Sequence, residues 1–177
     1  MTVTLVLGGA RSGKSRFAEK LAYGAKHYVA TAQAFDDEMK QRIASHQKQR
    51  GDNWVTHEVP FDLVWQLKSI DAAGKFILVD CLTLWLSNLL LAEADCADMV
   101  ADLVLFLKSA KAQIVVVSNE VGLSIVPDTA LGRAFRDIQG IANQGVAAVA
   151  DNVVFVAAGL PLLLKGAMPQ AGSTPTE

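Results

Sequence analysis

Cysteine is nearly missing from this chain: Cys81 and Cys96 are the 2 in 177 residues. They form no CxxC pair and fit no zinc-ligand spacing, which excludes a disulfide scaffold or a zinc module and makes them core or helix residues. A reducing, cytoplasmic setting is the expectation. An excess of one charge is missing too. The 16 Lys and Arg against 18 Asp and Glu give a formal net charge of −2, without the basic face that nucleic-acid binding requires. Long hydrophobic runs are absent. The stretch 76–92 is broken by Asp80, Ser87 and Asn88, and 153–164 by Pro161, so neither reads as a membrane span. No basic region leads into an apolar run at the start; residues 2–7 read as a strand and not as a signal peptide. No internal repeat and no early linker appears. What is present is an apolar content of 51 %, enough for one domain with a substantial core over 1–167. The tail 168–177, MPQAGSTPTE, is expected to be flexible.

Strand-like runs at 3–7, 27–31, 54–59, 76–80, 113–119 and 152–157 alternate with helical stretches at about 14–24, 36–50, 61–72, 82–92, 97–110 and 129–150. Such alternation, with Val/Ile-rich strands, predicts an α/β fold with a mostly parallel sheet and helices on both faces. The longest helix shows an apolar face at Leu131, Phe135, Ile138, Ala142, Gly145 and Val149. Ligands of a parallel sheet bind outside the carboxyl ends of its strands. That rule singles out the positions after Leu7 and Thr31, around Glu58, at Asp80 and at Asn119-Glu120.

The most informative stretch is LVLGGARSGKSRFAEK, residues 5–20. Within it Gly8-Gly9-Ala10-Arg11-Ser12-Gly13-Lys14-Ser15 fits G-x-x-x-x-G-K-[ST] directly after a strand and before a helix. The glycines let the backbone wrap so that N–H groups face phosphate oxygens, and the helix start adds partial positive charge. Lys14 is placed to reach the β- and γ-phosphates and the Ser15 hydroxyl to ligate Mg²⁺. An ordinary glycine-rich turn is the competing reading. With this loop at its first strand the chain is expected to adopt the three-layer P-loop NTPase (RecA-like) arrangement. Asp80 closes the apolar run 76–79 as a Walker-B carboxylate that holds Mg²⁺ does. It could equally cap the next helix, with Cys81-Leu82-Thr83 as the first turn; the loop upstream favours the metal role. No N-K-x-D motif occurs, which argues against a switch GTPase and leaves base preference unread.

Residues 36–50 form a second informative stretch. The helix opens on Asp36, Asp37 and Glu38 and closes on Lys48 and Arg50, complementing its dipole, but has little apolar surface to pack. Arg42, His46 and Arg50 share one face by their spacing. Spacing alone favours a solvated face with an incidental histidine. The functional alternative is that two guanidiniums hold a nucleotide's phosphates while neutral imidazole attacks phosphorus. His27 and His57 read as structural.

Taken together, GGARSGKSRFAEKLA, YVATAQAFDDEMKQRIASHQKQR, ILVDCLTLWLSNLL, VVVSNEVGLSIVP and RAFRDIQGIANQGVAAVADNVVFVAAGLPLLLK resemble the bifunctional cobinamide kinase/cobinamide-phosphate guanylyltransferases of cobalamin biosynthesis along nearly the whole chain. The resemblance implies transfer of a γ-phosphate from ATP or GTP to the hydroxyl of the adenosylcobinamide aminopropanol arm. GMP then passes from GTP to that phosphate through a guanylylated histidine, corresponding to His46. It places nucleotide contacts on the loop 8–15, on Thr31, Ala32 and Gln33, on Gln47, Lys48, Gln49 and Arg50, and on Glu58 and Asp80. The implied cofactor is Mg²⁺, held by Ser15 and Asp80. The implied partners are a corrinoid and a nucleoside triphosphate, in a homo-oligomer, a trimer by family habit. The stretch 82–91 either supplies contacts between subunits or is core helix. Ser45 stands where some members carry a second histidine, and Asp80 where some carry Glu. Two rival readings stand beside this one: a P-loop kinase of another small metabolite, and a non-catalytic nucleotide-binding module.

Overall fold

The computed structural model describes residues 2–33, 37 and 53–170. Seven strands form one sheet: β1 Thr2–Gly8, β2 Ala25–Ala30, β3 Trp54–Glu58, β4 Lys75–Asp80, β5 Gln113–Asn119, β6 Asn152–Ala157 and β7 Leu160–Lys165. Their order is β3-β2-β4-β5-β1-β6-β7, with every pairing parallel except the antiparallel β6–β7. The described helices are α1 Lys14–Lys20, α2 Leu63–Ile70, α3 Leu82–Leu91, α4 Cys96–Leu107 and α5 Ala130–Val149.

Successive side chains of a strand point to opposite faces, and here both faces are dry. On one face Val3, Leu5, Leu7, Ile77, Val79, Ile114 and Val116 pack under α2 to α5, against Leu63, Leu67, Trp85, Leu103 and Val146. Trp85 is fully buried and its indole N–H donates to the Phe61 carbonyl at 2.7 Å. On the other face Val6, Leu78, Val115, Val117, Val154 and Val156 meet Ala18 and Leu21 of the α1 unit. Beyond α1 that face is closed by aromatic rings: Trp54 lies edge-on to Tyr28 and Phe76, and Tyr23 edge-on to Phe76. Strands buried on both faces must be apolar throughout, which is why β1, β4 and β5 stand out as unbroken Val/Ile/Leu runs. Helix starts follow local chemistry: the Asp95 carboxylate accepts from Ala97 N and Asp98 N, and Thr129 Oγ1 from Gly132 N.

The structure adds a strand, corrects a helix face and bears on an open reading. The expected strand 152–157 is β6, and a further strand follows it as the β6–β7 hairpin, turned at Ala158 and Gly159, both at positive φ. All of β7 is exposed, so it carries no core signal. On α5 the buried residues are Gln139, Ala142, Asn143 and Val146. Leu131 is exposed, and Phe135, Ile138 and Val149 pack only partly. The buried stripe is displaced from the apolar one because two amides are accommodated inside. Finally, 82–91 is core helix: Leu82, Thr83, Trp85, Leu86, Asn88 and Leu89 are buried. The expected helix 36–50 lies outside the described residues except Asp37, which is helical and exposed.

Candidate active site

Two neighbouring strands send their connections to opposite faces. α1 follows β1 and packs on the face of Val6, whereas α5, which follows β5, packs on the face of Leu5. Between such strands the sheet has a topological switch point, where ligands of open α/β sheets bind. Gly8 and Asn119 lie level with each other there, and Glu120 N donates to the Gly8 carbonyl at 3.2 Å.

The loop 8–15 wraps tightly at that point. A Cβ on Gly8 would stand 2.5 Å from both Ser12 Oγ and the Val156 carbonyl oxygen, so only glycine lets β1 turn there. Arg11 (φ 56°) and Gly13 (φ 93°) are left-handed, the kind of turn conformation from which anion nests are built, and Ser12 N donates to the Gly9 carbonyl at 3.3 Å. Gly159 N donates to Ser12 O at 2.8 Å, so the β6–β7 turn braces the loop from outside. Lys14 is buried beneath it and its ammonium donates to the Gly9 carbonyl at 3.1 Å. Gly13 caps α1 with no side-chain bond. Ser15 is half-buried at the helix start.

The acidic groups come from neighbouring strand ends. Glu58, Ala30 and Asp80 are level across β3, β2 and β4. By alternation from Trp54, Tyr28 and Leu78 their side chains project on the α1 face. Glu58 is exposed and Asp80 half-buried. The Tyr28 hydroxyl donates to Asp80 Oδ2 at 2.8 Å. The capping alternative for Asp80 is thereby settled, because Cys81, not Asp80, caps α3, its Sγ accepting from Leu84 N at 3.5 Å. Burial, with the Asp80 charge second, pushes the Cys81 thiol up to about 11. Thr31 is fully buried, and its hydroxyl donates to Cys81 O (2.7 Å) and accepts from Cys81 N (2.9 Å). Its carbonyl accepts from Asn88 Nδ2 at 2.8 Å. Thr31 thus ties the ends of β2 and β4 together, with half-buried Ala32 and Gln33 following. His46, Gln47, Lys48, Gln49 and Arg50 lie outside the described residues.

Several participants escaped sequence reasoning. Tyr28 is one, readable only through the register that sets it beside β4. A buried amide cluster is another: the Ser118 hydroxyl donates to Asn143 Oδ1 (2.6 Å), and Gln139 Nε2 donates to Ser118 Oγ (2.9 Å) and to Asn143 Oδ1 (3.0 Å). At the far sheet edge the His27 and His57 rings share a hydrogen bond, Nδ1 to Nε2 at 3.0 Å, and Gln66 Nε2 lies 3.2 Å from His57 Nδ1. Burial first and then the Lys75 charge hold both imidazoles below their usual pKa.

A mostly parallel α/β sheet with a glycine-rich anion nest and a buried lysine at its switch point defines a P-loop nucleotide-binding protein. The family model for cobinamide kinase/cobinamide phosphate guanyltransferase matches residues 4–164, and the chain belongs to that family. It is 47 % identical over 167 residues to the bifunctional adenosylcobalamin biosynthesis protein CobP of Pseudomonas aeruginosa, covering 92 % of this chain and 96 % of that one. It is 39 % identical to the bifunctional adenosylcobalamin biosynthesis protein CobU of Salmonella typhimurium and 37 % to that of Escherichia coli, covering 91 % of this chain and 98 % of each relative. The protein's activities are therefore cobinamide kinase and cobinamide phosphate guanylyltransferase, in adenosylcobalamin biosynthesis. No described helix is long and apolar enough to cross a membrane.

Proposed function

We propose that both reactions use the one phosphate cradle at 8–15 and that GMP passes through a covalent adduct on His46. The observation that carries the first half is the left-handed nest at Arg11 and Gly13 with the Lys14 ammonium beneath it, on the same face as Asp80. In the kinase reaction the cobinamide hydroxyl oxygen attacks the γ-phosphorus of ATP or GTP. The bond to the β–γ bridging oxygen breaks, the diphosphate leaves with the electron pair, and the hydroxyl proton goes to water. Lys14 and the nest's N–H groups bind and orient the phosphates.

In the second reaction an imidazole nitrogen of His46 attacks the α-phosphorus of GTP, pyrophosphate departs and the ring's proton goes to water. The ring takes a proton back from water as an oxygen of cobinamide phosphate attacks the phosphorus, and the N–P bond breaks to release neutral imidazole. Splitting the transfer lets one anion leave before the next arrives. Thr31, Ala32, Gln33, Glu58 and the stretch Gln47, Lys48, Gln49 and Arg50 would surround the nucleotide. Among the described residues no group of three His, Cys, Asp or Glu could hold a metal. One hydroxyl and one carboxylate, Ser15 and Asp80, suit instead a Mg²⁺ that arrives with phosphates and keeps much of its water. When bound, Mg²⁺ offsets charge on the leaving group. A homotrimer in the cytoplasm completes the proposal. The exposed leucines of β7 give subunits an apolar contact, and the free thiols Cys81 and Cys96 suit a reducing compartment.

The test is incubation with GTP labelled on the α-phosphate, then denaturation, with His46→Ala alongside. Label retained by wild type, acid-labile and base-stable, and absent from the variant is the expected result. A folded, GTP-binding wild type that retains none overturns the covalent route.

A further inference from the structure

Among the described residues three buried side-chain polar atoms have no hydrogen-bond partner: Ser12 Oγ, Asn119 Oδ1 and Gln139 Oε1. A buried acceptor without a donor is unfavourable by about 1–3 kcal/mol, so such an atom calls for a partner that arrives. Ser12 belongs to the loop 8–15 itself, and Asn119 faces that loop from the neighbouring strand at the switch point. Alternation along β5 from Val115 and Val117 puts its side chain on the α1 face. It is level with Gly8 on one side and two residues beyond Val117, the register partner of Asp80, on the other. The amide therefore stands between the start of the cradle and the Walker-B carboxylate.

Its backbone is held with unusual care. Asn119 N donates to Thr83 Oγ1 at 2.7 Å and its carbonyl accepts from Asn143 Nδ2 at 3.1 Å. Asn143 is itself fixed by Ser118 and by Gln139, which is fully buried. Buried amides on α5 are unfavourable unless satisfied. Here they immobilise a residue whose own side-chain oxygen bonds nothing.

The class of the missing partner follows from the chemistry. Phosphate oxygens are acceptors and cannot satisfy an amide oxygen; a donor must. In the kinase reaction the attacking O–H is a donor that has to come within bonding distance of the γ-phosphorus. We propose that Asn119 is a catalytic residue of the kinase reaction alone, its amide oxygen accepting a hydrogen bond from the cobinamide hydroxyl and aiming that oxygen at the γ-phosphorus. The amide takes no proton: as the new O–P bond forms, the β–γ bridging bond breaks toward the leaving diphosphate and the hydroxyl proton passes to water. The GMP transfer gives it no such work. Its acceptor is a phosphate monoester, whose second pKa near 6 leaves it largely without an O–H above neutral pH. The proposal rests on phosphates occupying 8–15.

The two activities provide the control. For Asn119→Ala, kinase turnover is measured with cobinamide and nucleoside triphosphate, GMP transfer with cobinamide phosphate supplied directly, and GTP affinity and melting temperature in parallel. Kinase kcat is expected to fall about 100-fold, with GMP transfer and GTP affinity within about threefold of wild type. A parallel loss of both activities, or of neither, overturns the proposal. Should Asn119→Ala not fold, Asn119→Asp keeps the shape and the acceptor. Its kinase rate should gain an ionisation and rise with pH while GMP transfer does not, and a kinase profile without that ionisation overturns the proposal. Lys14→Ala, assayed for GTP binding beside these, reports separately on the cradle: wild-type affinity there would refute the location of the phosphates, not the role of Asn119.

Discussion

Gly8→Ala and Gly9→Ala add the same methyl group to adjacent positions of one loop, and the structure separates their consequences. At Gly8 the new carbon lies 2.5 Å from Ser12 Oγ and 2.5 Å from the Val156 carbonyl oxygen. Carbon–oxygen contacts are comfortable at about 3.3–3.6 Å, so roughly 1 Å must be found. Ser12 can rotate its hydroxyl away. Val156 cannot yield so easily, because its oxygen belongs to β6, laddered to β1 from Thr4 to Leu7 and to β7 on the other side. The loop has to move instead, at a cost typical of overpacking, about 1–3 kcal/mol. For a domain of this size each kcal/mol is about 2–4 °C, giving a melting temperature lower by about 2–12 °C. At Gly9 no atom lies within 4 Å and no left-handed φ is required, so alanine should be neutral or stabilise by up to about 1 kcal/mol through the unfolded state. Thermal melts of both variants test this, with urea midpoints as a second measure. A shift of about 1 Å in the loop should also lower kinase turnover of Gly8→Ala about 100-fold. If Gly8→Ala melts at or above Gly9→Ala, the contact with β6 is not what demands glycine.

Three further outcomes follow from other regions. His27 and His57, both held below the usual 6.5, take up protons at lower pH in the fold than in the unfolded chain. Their contribution is therefore complete above about pH 6.5 and is lost on acidification. The urea midpoint should drop through that window, and His27→Phe/His57→Phe should flatten the drop; a wild-type midpoint that rises with acid refutes the sign. Cys81, with its thiol pushed up to about 11 and its side chain buried, should resist iodoacetamide at pH 8 until the protein is denatured; mass spectrometry of the native protein showing rapid modification at that residue would contradict its burial. Asp71 accepts from Lys111 N (2.8 and 3.0 Å) and Ala112 N (2.8 Å), clasping the start of β5 to the end of α2. Asp71→Ala should cost about 1–3 kcal/mol in denaturant titration, and an unchanged midpoint would show that water replaces the carboxylate.

What could be read from the chain depended on whether the information was local. The elements β1, β4 and β5 announce themselves because burial on both faces demands unbroken apolar runs, and the loop 8–15 because its cradle is built from consecutive residues. β7 was hidden for the opposite reason. Its Leu160, Leu162 and Leu164 are exposed on an edge strand, it contains Pro161, and its turn places Ala158 where Asn, Asp or Gly is usual. The face of α5 was misjudged because apolar periodicity assumes that amides point outward, whereas Gln139 and Asn143 are buried and bonded to Ser118.

The site itself shows the same division more sharply. Asp80 could be placed at a strand end from its run of hydrophobic neighbours, yet its role stayed open between cap and metal ligand. Only the fold shows that the Cys81 sulfur takes the cap and that the carboxylate instead meets Tyr28, 52 positions away in sequence. Asn119 was noticed as a strand end and nothing more, because its claim depends on three facts that no window of sequence contains. It is level with Gly8, its backbone is pinned by Thr83 and Asn143, and its amide oxygen is buried without a partner. A nucleotide-binding motif is contiguous because backbone N–H groups make it. The groups that must meet the other substrate come from the neighbouring strand, and sheet order, not chain order, sets them beside the phosphates.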